Sequence, residues 1–280
     1  MAAPEIMPAR LSSKELSELQ QAIAFLESAT FASRIANLLG RQAQMIGRAL
    51  PAPARRLVAG ASQSAMKGAL KLALKTMETG GPAQEALDPT GGLSSRVLHK
   101  AAAAASGAVG GAFGLAALPL ELPVSTTILL RSIAQIARAA GEDLRQPDAA
   151  LACLEVFALG NDAGASGVES GYFAIRAALA RSVNESARFL VQKGVVDEAA
   201  PALIRFATQI AARFGVVVSE KLVAQAVPVL GAIGGAAVNL AFAEHFQNLA
   251  RGHFIVRRLE RAHGADAVRF EYQRLQGKAL

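Results

Sequence analysis

The sequence predicts an all-α protein: an Ala/Gly-rich multi-helix bundle with a central glycine-faced helix pair. Three observations lead there. Apolar residues recur at three- and four-residue spacing along most of the chain, the period of a helix. No stretch of strand length alternates apolar with polar residues, and no Asn-Gly hairpin dipeptide occurs. Alanine, the strongest helix former, supplies much of the apolar content.

The elements follow in order. The first helix opens at Ser12-Ser13-Lys14-Glu15, where a serine three residues before a glutamate allows reciprocal capping. It runs to about Glu27. A second spans about Thr30–Leu50 and is stopped by Pro51 and Pro53, each lacking an amide donor. A third covers about Ala54–Met77. Gly80-Gly81-Pro82 and Asp88-Pro89-Thr90-Gly91-Gly92 then bracket a loop. A glycine-rich helix follows from Leu93 to Leu118, and Pro119 and Pro123 predict a kink holding Glu121. An amphipathic helix continues from Val124 to Ala140 and stops at Gly141. Further helices are predicted over Asp148–Leu159, Ser170–Gln192, Asp197–Phe214, Val216–Ala226, Val229–Arg261 and Ala265–Gln276, with a polar loop at Gly160–Gly167. Residues 1–29 thus read as an N-terminal helical extension. Residues 30–280 read as one all-α domain, with basic amphipathic helices in 30–77 and a core bundle in 93–280.

A chain of 280 residues can bury a sizeable core. Its 52% apolar and 18% charged content is greasier than the usual ~45–50% and ~25%. Tryptophan is absent and the only tyrosines are Tyr172 and Tyr272, so the aromatic belts of a multi-span membrane protein are missing. The single cysteine, Cys153, excludes an intramolecular disulfide and sits in an apolar helical pattern, which predicts a buried, inert thiol. The first residues carry two prolines and no apolar stretch, unlike a signal peptide, and the expected compartment is the cytoplasm.

The net charge of +7 is unevenly placed. Between Glu27 and Glu78 there is no acidic residue, yet Arg34, Arg41, Arg48, Arg55, Arg56, Lys67, Lys71 and Lys75 all fall there. Seven-residue spacing drifts only ~20° per step on a helix, so Arg34, Arg41 and Arg48 line one edge of the apolar arc of Phe31, Ile35, Leu38, Leu39, Met45, Ile46 and Leu50. Lys67, Lys71 and Lys75 form an i, i+4 row, with Met66, Leu70, Leu72, Leu74 and Met77 mainly on the other side. Basic side chains flanking an apolar face suit an anionic lipid surface. The same pattern also fits surface helices of a bundle with solvated basic sides. Nucleic acid is the poorer partner, because basic residues are not interleaved with aromatics.

Two stretches carry no formal charge, Ala101–Leu120 and Leu222–Ala243. As helices at ~1.5 Å per residue each would reach ~30 Å, the thickness of a hydrocarbon core. Gly107/Gly111, Gly110/Gly114 and Gly231/Gly235 have the four-residue spacing that lets helix backbones approach. Their Ala/Gly content, Pro228 and Asn239 favour a buried helix pair over a stable span, with reversible insertion as the alternative.

No phosphate-binding loop, dinucleotide fingerprint or nucleophile elbow is present. The four histidines, His99, His245, His253 and His263, do not assemble a ligand set. Glu260-Arg261-Ala262-His263 has a Glu-x-x-His spacing, but a carboxylate-bridged bundle needs two such motifs. No cofactor or metal is expected. Polar residues in apolar surroundings remain the candidate buried site: Glu121, Arg131, Glu169, Arg176, Asn239 and His253. Buried charges need partners, and Glu121–Arg131 and Glu169–Arg176 are the expected helix-locking pairs.

Leu118–Leu144 (LPLELPVSTTILLRSIAQIARAAGEDL), Glu169–Leu179 (ESGYFAIRAAL) and Pro228–Glu260 (PVLGAIGGAAVNLAFAEHFQNLARGHFIVRRLE) resemble the bacterial EcsC family over roughly residues 45–265. The matching positions are Glu121, Pro123, Arg131, Tyr172, Arg176, Pro228, Gly231, Asn239, His253, Arg257 and Arg258. The resemblance implies membrane-proximal work linked to an ABC transporter and to secretion, and no catalytic residues. The expectation is therefore a cytoplasmic accessory protein, peripheral to the inner face of the plasma membrane, supporting transport, secretion or envelope homeostasis. Its partners would be anionic lipid and a membrane transporter complex. Two rivals stand beside it: a lipid or fatty-acid carrier with His253, Arg257 and Arg258 at a headgroup, and an enzyme using Glu169, Glu244 and His253.

Overall fold

A computed structural model describes residues 11–27, 31–39, 50–79, 118–160, 171–194, 200–225 and 231–277. Among them lie α1 (Ser13–Leu26), α2 (Phe31–Leu39), α3 (Ala52–Thr79), α4 (Leu118–Ala139), α5 (Pro147–Leu159), α6 (Gly171–Lys193), α7 (Pro201–Gln225), α8 (Gly231–His263) and α9 (Ala265–Leu275), with no strand. The all-α class is as the sequence predicts.

The arrangement follows from α5. Every residue from Ala149 to Leu159 is buried, including its one internal charge, Glu155. A helix that is apolar all round must be enclosed. Here α3, α4, α6, α7 and α8 all pack against it. The longest neighbour, α8, also touches α1, α2, α4, α7 and α9. Between them runs an aromatic seam: Phe157 lies 5.2 Å from Phe214 and 5.4 Å from Phe246, and Phe242 joins Phe246 at 5.0 Å and Phe31 at 5.5 Å. Such offset and edge-on ring pairs add to the burial of their area.

The cap predicted for α1 is present in full. The Ser12 hydroxyl accepts from the Glu15 amide and the Glu15 carboxylate accepts from the Ser12 amide. Although α1 belongs to the stretch read as an extension, its Leu19, Ala22 and Leu26 are part of the common core. It packs on α8 at Gly252, where an added Cβ would lie 2.6 Å from Leu26 Cγ and 2.9 Å from the Ala22 carbonyl oxygen. Glu18 accepts from Arg258 at 2.7 Å, and Glu15 pairs with His263 at 2.7 Å, closing the same seam.

Three expectations are corrected. Pro119 and Pro123 do not mark a kink between helices; both lie inside the first turns of α4. Pro119 falls in the first turn, where amides have no intrahelical partner, whereas Pro123 is the sixth residue and gives up one helix hydrogen bond without ending the helix. Asp197–Phe214 and Val216–Ala226 are not two helices, because α7 runs unbroken through Gly215. That glycine serves close packing: a Cβ there would meet the Ser62 hydroxyl of α3 at 3.4 Å. The uncharged Leu222–Ala243 does not form one bilayer-length helix, since Leu222–Gln225 ends α7 and Gly231 begins α8. Among the described residues, α7 is the helix long and apolar enough to cross a membrane, and less than half of its most apolar window is buried. Gly231 and Gly235 lie at the start of α8. Gly107, Gly111 and Gly114 of the expected partner helix lie outside the described residues.

Two predictions follow from this packing. Gly252→Ala should lower stability by about 1–3 kcal/mol, because the new methyl meets backbone as well as the Leu26 side chain, and denaturant unfolding would read it. His245 is buried beside Phe31 and Phe246, and burial, aided by the Arg34 charge, pushes its pKa down to about 4. A lowered base is neutral in the fold while the unfolded chain takes up its proton near pH 6.5. Its stability contribution is complete above pH 6.5 and is lost as pH falls toward 4. His245→Leu should therefore flatten the fall in unfolding free energy between pH 6.5 and 4 by about 3 kcal/mol.

Candidate functional site

Two places carry enough chemistry to matter: the solvent side of α3 and a polar cluster inside the bundle.

On α3 the buried positions include Ala61, Ala65, Ala69 and Ala73, spaced four apart, with Val58, Met66, Leu70 and Leu74. This stripe rests on α4, α7 and α5. The opposite side exposes the row Lys67, Lys71 and Lys75, and Arg55 and Arg56 are exposed near the start of the same helix, ~30 Å from Lys75 at the far end. Exposed Gly60, Ser64 and Gly68 run beside the lysine row, so the helix surface between the charges is low. Glu78 is the first acidic residue along this helix, at its far end. Arg34 does not belong to this face; it is half-buried on α2, where its charge acts on His245. Arg41 and Arg48 lie outside the described residues.

The interior cluster is built by α5, α6 and α8. Arg176 of α6 donates through both terminal nitrogens to Glu260 of α8, at 2.7 and 2.9 Å. One of those nitrogens also donates to the Tyr172 hydroxyl at 3.3 Å. The hydroxyl lies 3.1 Å from Nδ1 of His253. With one lone pair engaged by Arg176, the hydroxyl is suited to donate its own proton to Nδ1, an arrangement that goes with the His253 tautomer protonated on Nε2. This Nε2 is buried without a hydrogen-bond partner and lies 4.0 Å from Oε2 of Glu155. Burial pushes the Glu155 carboxyl upward and the His253 imidazole well downward, with the charges of Arg176 and Arg257 also disfavouring an imidazolium. One turn along α8, Arg257 donates to Glu142 at 3.0 Å and to Asp148 at 3.3 Å. Glu142 also receives Arg261.

The expected pairs are reassigned. Glu121 does not meet Arg131. Its partner is Lys221 of α7, at 2.8 Å, with both side chains buried and the ammonium 4.9 Å from the Phe242 ring centre. Arg131 faces solvent. Arg176 takes Glu260, and Glu169 lies outside the described residues. Asn239 is buried and accepts from Gln225 at 3.4 Å. Of the proposed enzyme set, Glu244 and His253 are nine positions apart on α8, ~180° around it and ~13 Å along it, and do not converge. Arg257 and Arg258, offered to a lipid headgroup in the carrier reading, are engaged by Glu142 and Glu18. No group of three metal-ligating side chains occurs among the described residues. Cys153 is buried as predicted, and burial pushes its thiol up to about 12.

Sequence reasoning misses Glu155, Lys221, Glu142 and Glu260. Glu155 had a usable signal: it is the only charge in an otherwise apolar run from Ala149 to Leu159. Lys221 had none, because Glu220 beside it makes the dipeptide look solvated, and its true partner is 100 residues away.

No curated protein and no solved structure matches the chain. A match to the EcsC protein family covers residues 13–259, from the first turn of α1 to Leu259 on α8, one residue short of Glu260. With nearly the whole described bundle inside that match, the chain belongs to the EcsC protein family.

Proposed function

We propose that this protein docks on anionic membrane surfaces through the solvent side of α3 and acts there as an accessory to transport, secretion or envelope homeostasis. The observation that carries this reading is the charge on that helix: the exposed row Lys67, Lys71 and Lys75 with Arg55 and Arg56 exposed at its start, in a stretch of chain with no acidic residue between Glu27 and Glu78. Solvated surfaces ordinarily mix the two signs. A single-sign face attracts an anionic leaflet, at about 1 kcal/mol for each base near the surface. Half of that for five bases is roughly 2.5 kcal/mol, a gain of nearly a hundredfold in binding. Gly60 and Gly68, with open space where a Cβ would point, let headgroups come close to the helix between the basic side chains. The inner leaflet of a bacterial plasma membrane is the surface this face suits, and a transporter complex within it is the proposed partner.

The carrier and enzyme readings draw less support. Both arginines that would receive a headgroup are tied to carboxylates, and Glu244 and His253 diverge around α8.

Vesicle flotation tests the proposal. The protein should float with phosphatidylglycerol-containing vesicles, stay at the bottom with neutral ones, and release at high salt, where the screening length falls to ~3 Å. Replacing Lys67, Lys71 and Lys75 together by Glu should cut flotation more than tenfold. Thermal unfolding should barely move, because all three side chains are exposed. Flotation that survives the triple replacement would show that this face is not the docking surface.

A further inference from the structure

We infer that Glu155 and His253 enclose a binding site for a single water molecule, which bridges His253 Nε2 to the Glu155 carboxyl and completes a hydrogen-bonded chain running from α6 through α8 into α5. The geometry leads to this directly. The chain begins at Arg176, passes to the Tyr172 hydroxyl and reaches Nδ1 of His253. That sequence of donors corresponds to the tautomer with the imidazole proton on Nε2, which lies 4.0 Å from Oε2 of Glu155. The separation is too long for a direct hydrogen bond, which closes at ~2.7–3.2 Å. Yet both groups are buried, Nε2 has no partner, and a buried donor left unmet is costly. A water oxygen placed ~2.8 Å from each atom subtends an angle of ~90°, within reach of the tetrahedral angle after a shift of a few tenths of an ångström. Water accepts from Nε2–H and donates to the carboxyl, so it satisfies both groups whether or not Glu155 carries its proton.

The surroundings favour water over an ion. Three guanidinium groups, Arg176, Arg257 and Arg261, are matched by Glu260, Glu142 and Asp148. Glu155 and His253 remain outside these pairs. Tyr272 of α9 stacks on Tyr172 at 6.0 Å and closes the cluster on that side. A metal would find two ligands only, beside two cations whose charge reaches both of them.

The test is a high-resolution crystal structure of the full chain, with the Glu155→Gln and Glu155→Leu variants alongside. One ordered water within about 2.6–3.2 Å of both Nε2 and the carboxyl is expected, and it should persist in Glu155→Gln, which keeps a polar partner. Glu155→Leu should expel it and lower the thermal midpoint by roughly 2–5 °C, because the Nε2 proton then has no acceptor. In solution, the Nε2 proton of His253 should give a cross-peak to a long-lived water in the wild type and lose it in Glu155→Leu. A direct contact between His253 and Glu155, a dry gap, or a Glu155→Leu variant as stable as the wild type would overturn the inference.

Discussion

The fold rests on the enclosure of α5. A thirteen-residue helix with buried side chains on every face has no stable position at a surface, and five other helices close around it. Burying a Val, Leu or Phe contributes about 1.5–3 kcal/mol, and Leu151, Leu154, Val156, Phe157 and Leu159 all gain this together. The same enclosure creates an electrostatic problem, since Glu155 goes in with them. An unpaired buried carboxylate is very unfavourable, so the group is pushed toward its neutral form and polar side chains from α6 and α8 gather opposite it. The polar cluster is thus a consequence of the core.

Charge is sorted by helix in a way that separates roles. In the interior cluster the guanidinium groups meet carboxylates: Arg176 holds Glu260 with both terminal nitrogens, and Arg257 spans Glu142 and Asp148. Planar, forked pairing of this kind fixes the rotation of α8 against α6 and against the turn before α5. A buried pair is a weak source of net stability but a strong penalty on a wrong register, because a slip would strand both charges. Glu121 and Lys221 impose the same condition on α4 and α7. The lysines of α3, by contrast, stand exposed on a face with no acidic neighbour along their own helix before Glu78.

What the sequence discloses tracks how local the physics is. The capping box at Ser12 and Glu15, the boundaries of α5, α6 and α9, and the inward side of α3 all depend on residues within a few positions of one another, and each was legible. The reading of Gly215 and Pro123 as breaks failed because both are permissive residues whose effect is set elsewhere. Gly215 has α3 against it, and Pro123 removes one hydrogen bond from a 22-residue helix that continues past it. Ion-pair partners were misassigned for a similar reason. Glu121 and Arg131 are near in sequence and share α4, yet Arg131 lies exposed and the partner comes from α7. The candidate docking face was visible as an absence of acids. The interior cluster was half visible: Tyr172, Arg176 and His253 stood out, while the carboxylates that organise them did not.

The small side chains of α3 connect these two parts of the molecule. Alanines at 61, 65, 69 and 73 let this helix lie close on α4 and α7, and its flank reaches α5 itself. Close contact through short side chains leaves little rotamer freedom to lose and little play between helices. The five bases outside are therefore carried on a helix held against the centre of the bundle, where local unfolding is costliest. A charged row on a loose loop would have to be ordered before it could meet a flat surface, and that ordering would offset part of the attraction. Here the order is already supplied by the core. The two sides of α3 thus answer to different demands: the alanine stripe to packing on α4, α5 and α7, and the basic side to an exposed surface.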